Sequence, residues 1–141
     1  MKKAEIHFDI QLDENNVPDK IFWDASDNPN EGLNDTQAIS IATWDRYHRA
    51  TMKLDLWTKD MEVGDMKQFY IEIMSGVADS IISATGDKKM AEQVHDVCKI
   101  LSRNLKAELE ELERNNKWSD RSRIRSWWFW SGFKPLGRAW L

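Results

Sequence analysis

The chain has 141 residues, 41% of them apolar and 31% charged, with a net charge of −4. That length suits one domain, and the balance fits a soluble globular protein better than a disordered one. No apolar run is long enough to span a bilayer, and the opening MKKAEIHFDI lacks the apolar region of a secretory signal.

Charge is unevenly placed. Residues 117–141 hold six cations against Asp120, which makes them +5 and leaves residues 1–116 at −9. An acidic body argues against non-specific nucleic-acid binding by that part, which would need a basic footprint. Cys98 is the only cysteine, so no intrachain disulfide forms, and this is compatible with a reducing compartment.

Residues 5–12 alternate strictly. Ile6, Phe8, Ile10 and Leu12 oppose Glu5, His7, Asp9 and Gln11, the period of a half-buried strand. Asp13–Asn16 is turn chemistry, and Pro18 fixes the exit from the loop. Ile21, Trp23 and Ala25 then alternate with Lys20, Phe22 and Asp24, so the two runs read as an antiparallel hairpin.

Residues 26–36 (SDNPNEGLNDT) read as a loop. In 37–45 (QAISIATWD), β-branched Ile39, Ile41 and Thr43 alternate with Ser40, Ala42 and Trp44. A strand is expected there, preceded by a helical turn at most. Met52, Leu54 and Leu56 alternate with Lys53, Asp55 and Trp57, which adds a fourth strand with one buried face.

The period then changes. Met66, Phe69, Tyr70, Ile73, Met74, Val77, Ile81 and Ile82 form an i, i+3, i+4, i+7 stripe, with Asp65 as N-cap and Gly86 as C-cap. From Asp87, a second stripe runs through Met90, Val94, Cys98, Leu101, Leu105, Leu109 and Leu112. The acidic segment Glu108–Glu113 opposes the helix dipole, so that end frays or finds partners. The fold class expected is α+β: a four-stranded antiparallel meander with two amphipathic helices packed on one face. Residues 1–116 form a single domain on this reading, and 117–141 a basic, Trp-rich tail.

Three pieces carry a resemblance: KKAEIHFDIQLDENNVPDKIFWDASD near the start, TWD at 43–45, and LDLWTKDM at 54–61. With the amphipathic helix that follows, residues 2–113 resemble the gliding motility-associated protein GldC of the Bacteroidetes. The resemblance implies a small cytoplasmic protein acting with the motility machinery. It implies no enzymatic activity and no cofactor, and the tail has no counterpart in it.

Catalytic readings are weak. Asp9, Asp24 and Asp55 share the polar side of the alternation and would need to converge to act as an acid/base pair or a metal site. Their ordinary reading is a solvated sheet face. His7, His48 and His95 have no second ligand at metal spacing, and Cys98 lies on an apolar stripe. No nucleophile elbow or Gly-rich phosphate loop is present. The expectation is a non-enzyme without metal or cofactor.

Trp44 and Trp57 fall on the polar side of their strands, where exposed aromatics among charges act as binding anchors. The alternative is a small second core beneath the 26–36 loop. With Asp55, Lys59 and Asp60 they make the expected partner-binding set; Lys59 and Asp60 could equally cap the sheet-to-helix corner. The partner is a protein of the motility machinery, and self-association is left open. In the tail, Arg121, Arg123 and Arg125 precede Trp127, Trp128 and Trp130, a pattern suited to a membrane interface or anionic surface, and also to stacking on single-stranded nucleic acid. A non-native extension is the simpler explanation of the abrupt change in composition, so membrane contact is expected only from a native tail.

Overall fold

The computed structural model describes residues 1–30 and 32–116. It is an α+β structure whose elements run β1 (Ile6–Leu12), β2 (Pro18–Ala25), β3 (Asn34–Thr36), β4 (Ala38–Asp45), β5 (Ala50–Trp57), α1 (Val63–Thr85) and α2 (Lys88–Asn116). They form two compact units, dividing after Met66.

In the first unit, β1 and β2 pair antiparallel with Ile6 opposite Ala25 and Ile10 opposite Ile21. Asp13 closes their connection. Its carboxylate accepts from the backbone N–H of Asn15 at 2.8 Å and of Val17 at 3.0 Å. Asn16 completes the turn in the left-handed region, at φ 60°.

The four-stranded meander is corrected here. The described residues form two sheets: β1-β2-β3, and a separate β4-β5 hairpin. The cause lies in the segment expected to be a loop. Asn34 and Thr36 pair with Trp23 and Ile21, so β3 occupies the edge of β2 that β4 would have used. Only Gln37 separates β3 from β4. Asn-Asp-Thr is a poor strand former by propensity, and pairing with β2 overrides that preference. The same pairing excludes the helical turn considered before β4.

The buried face expected of the last strand is also corrected. Ile39, Ile41 and Thr43 do oppose Leu56, Leu54 and Met52, as the alternation requires. Yet Met52 and Leu54 are exposed, and of this set only Ile39 is buried. The other buried apolar side chain of the unit is Ile21, which is fully enclosed.

The second unit is an antiparallel helix pair. Ile71, Cys98 and Leu105 form its core, with Met74, Val94, Leu101 and Leu109 against them. Ala78 and Ala91 are buried too. On α2 this follows the apolar stripe, except that Met90 and Leu112 are exposed and Ala91 is enclosed. On α1 the buried positions, Ile71 and Ala78, lie beside the stripe read from sequence. Residues 69–74 of α1 are apolar on several sides, so periodicity alone leaves its inner face open. Asp65 lies in the first turn of α1 and is not its cap. Gly86 ends α1 at φ 72° and donates to Ile82 O at 2.9 Å, and Asp87 caps α2 by accepting from Met90 N at 2.9 Å. The acidic end of α2 has a partner: Lys67 Nζ donates to Glu108 at 2.6 Å.

Candidate functional site

The site expected from sequence lies on β4, β5 and the residues just after them. Opposite residues of an antiparallel pair point to the same side. Ala38, Ser40, Ala42 and Trp44 therefore share a face with Trp57, Asp55, Lys53 and Thr51. Trp44 is 65% exposed and Trp57 45% exposed, so neither indole is enclosed by the 26–36 loop. The two stand at opposite ends of the hairpin. Trp44 pairs with Thr51 and Trp57 with Ala38, which separates them by about 20 Å at the usual rise per residue.

Between them lies a polar stretch. Lys53 Nζ donates to Asp55 at 2.7 Å. That ammonium, and then the Ser40 hydroxyl, hold the Asp55 carboxyl below the usual carboxylate range. Asp55 is thus a paired anion on a ridge with a tryptophan at each end.

The tip of the hairpin was not singled out from sequence. Asp45 accepts from the backbone N–H of Tyr47 at 2.8 Å and of His48 at 2.7 Å. These bonds, the one from His48 first, hold its carboxyl below the usual range. Arg49 turns back at φ 51°. The result presents Tyr47, 89% exposed, one short turn from Trp44. The signal was available in TWDRYHR, where two aromatics and three basic residues flank an Asx turn.

Lys59 and Asp60 stand elsewhere. Lys59 donates its backbone N–H to Pro18 O at 3.0 Å, and Thr58 donates its own to Gln37 O at 2.8 Å. The Lys59 ammonium lies 2.8 Å from Asp19 and 3.5 Å from Asp13. These carboxylates, Asp19 first, raise its pKa above the ordinary lysine value. Asp60 is held below the carboxylate range, first by the neighbouring Thr58 hydroxyl. Both side chains therefore lie at the corner where the chain leaves β5.

This corner joins two of the three pieces that carried the resemblance. Asp13 and Asp19 come from LDENNVPDKI, and Lys59 comes from LDLWTKDM. The family described as gliding motility-associated protein GldC-like matches residues 18–107. The chain belongs to that family. No curated protein and no solved structure matches it. The GldC-like region includes Asp19, Lys59, all of α1 and α2 as far as residue 107, while β1 and Asp13 precede it.

The carboxylates considered for catalysis do not converge as a set. Asp9 and Asp24 lie on β1 and β2, and Asp55 on the other sheet. Asp24 accepts from the N–H of Ala25 at 2.8 Å. Among the described residues, no three His, Cys, Asp or Glu are grouped to hold a metal ion. His7 lies 3.3 Å from Glu5, His48 3.2 Å from Asp45 and His95 3.2 Å from Asp79. Cys98 is buried at the helix–helix contact, and burial pushes its thiol pKa up, the reverse of what a nucleophile needs. A groove of about 680 Å³ runs along the helix pair over Ile71 and Cys98, with Glu72, His95, Lys99 and Arg103 around it. No described helix is long and apolar enough to cross a membrane. Arg121, Arg123, Arg125, Trp127, Trp128 and Trp130 lie outside the described residues.

Proposed function

We propose that this GldC-like chain is a non-catalytic, cytoplasmic accessory protein of gliding motility that holds a protein partner on the β4-β5 hairpin. The observation that carries the reading is the exposure of Trp44 on a hairpin whose Asp55 is paired with Lys53 and whose Asp45 is bonded into the turn. An indole left in water offers a large apolar area with little rotamer entropy to lose on binding. Tyr47 adds a second aromatic at the tip, and Arg46, His48 and Arg49 surround it. Such a tip suits a partner that presents an apolar pocket with an acidic rim.

The hairpin fits this role mechanically. Asp45 fixes the turn through two backbone bonds, so the tip is ordered before it meets anything. Asp55 is neutralised locally by Lys53 and contributes orientation more than net charge. Lys59 and Asp60 support the base of the hairpin and are not contact residues in this reading. Trp57, at the far end, extends the surface only for a partner able to span about 20 Å.

Affinity capture from cells of a gliding bacterium tests this. A Trp44→Ala/Tyr47→Ala chain is expected to lose specifically captured proteins that the unaltered chain retains. Equal recovery by both would reject the hairpin tip as the binding surface.

A further inference from the structure

We propose that β1 is a self-pairing edge through which two copies of the chain join into one continuous six-stranded sheet. The proposal is independent of the hairpin-tip surface. It rests on three features of β1.

First, the edge is open. In the order β1-β2-β3, β1 is terminal, and no described strand pairs with its outer side. Its sequence, IHFDIQL, contains no Lys, Pro or Gly, the residues that usually blunt an edge strand. The opposite edge, β3, has only three residues and offers little to pair with.

Second, the outward backbone groups can be assigned. Ser26 N–H donates to Glu5 O, so Glu5 faces β2. Backbone bonding alternates along an antiparallel strand, so His7 and Asp9 also bond toward β2. Ile6, Phe8 and Ile10 therefore turn their N–H and C=O groups to the open side. Two copies of β1 can pair antiparallel only where these residues meet one another. That restricts the register to steps of two residues.

Third, of the three registers centred on His7, Phe8 and Asp9, the middle one is complementary throughout. With the two-fold axis at Phe8, Phe8 meets Phe8 of the second copy, and Ile6 meets Ile10. On the other face His7 meets Asp9, and Glu5 meets Gln11. Moving the axis to Asp9 sets Asp9 against Asp9. Moving it to His7 sets Glu5 against Asp9 and His7 against His7. Like charges directly opposite destabilise a sheet, so both neighbouring registers are disfavoured. The groups are available: Ile6 and Phe8 are exposed, and His7 is exposed beside Glu5. The axis is isologous, as a closed two-fold dimer requires.

The test is sedimentation velocity of the full chain over a concentration series. A monomer–dimer equilibrium is expected. Asp9→Lys replaces the anion facing His7 with a lysine in each of the two symmetric pairs and should weaken dimerisation about tenfold. The double variant His7→Glu/Asp9→Lys reverses the pair and should restore it. Both positions are solvent-exposed, and circular dichroism confirms that each variant remains folded. A chain that stays monomeric at every concentration overturns the proposal. So does a dimer indifferent to Asp9→Lys, the result if association runs through residues 117–141, and so does failure of the double variant to recover.

Discussion

The ammonium of Lys59 lies 2.8 Å from the carboxylate of Asp19, across 40 residues of chain, while the Lys59 backbone donates to Pro18 O beside it. One residue thus fastens the end of β5 to the start of β2, from both its side chain and its backbone. Asp13 adds a second anion at 3.5 Å and at the same time closes the β1-β2 turn. Among its described residues the first unit has only Ile21 and Ile39 as buried apolar side chains, so polar connections of this kind weigh more than they would over a large core.

Lys59→Met should therefore destabilise the first unit, although an exposed ion pair alone is worth little. A fall in melting temperature of about 2–5 °C is expected. Asp19→Asn in the Lys59→Met background should add less than it does alone, because the pair is already broken. Thermal scans of the two single variants and the double variant measure this; strict additivity would show that the two groups are not coupled.

Acid should loosen the same region. Asp13, Asp45, Asp55 and Asp60 are all held below the ordinary carboxylate value of 3.8. Unfolding returns each to that value, so the unfolded chain binds protons more readily. The stabilisation is complete above pH 3.8 and is lost as pH falls through the folded-state values beneath it. Lys59 runs the other way: its pKa is raised above 10.5, so its contribution is present below that pH and lost as pH rises beyond it. Urea midpoints should be flat between these limits and fall outside them. Asp13→Asn should flatten part of the acid limb.

Packing separates the two units. Ile21 is fully buried, and Ile21→Ala should cost about 2–5 kcal/mol in the sheet unit. In the helix pair Leu105→Ala should cost a similar amount, about 2–5 kcal/mol, because Leu105 sits with Ile71 and Cys98. Leu112→Ala, on the same stripe but exposed, should stay within about 0.5 kcal/mol. Denaturant titrations distinguish these outcomes, and an equal cost at Leu105 and Leu112 would contradict the helix–helix packing.

Local pattern settled four of the five described strands and both helices, because a period of two and a period of 3.6 depend only on neighbours in the chain. It placed the Asp13 turn, the Gly86 cap and most of the inner stripe of α2. It also placed Trp44 and Trp57 on one face of their hairpin. Three things depended on residues far apart in sequence and appeared only in the folded chain. Asn34–Thr36 became a strand because β2 had an open edge to pair with. Ile71 became the inner residue of α1 because α2 chose among several apolar sides. Lys59 became a fastening because the chain brought Asp13 and Asp19 to it, and no spacing along the sequence encodes that meeting.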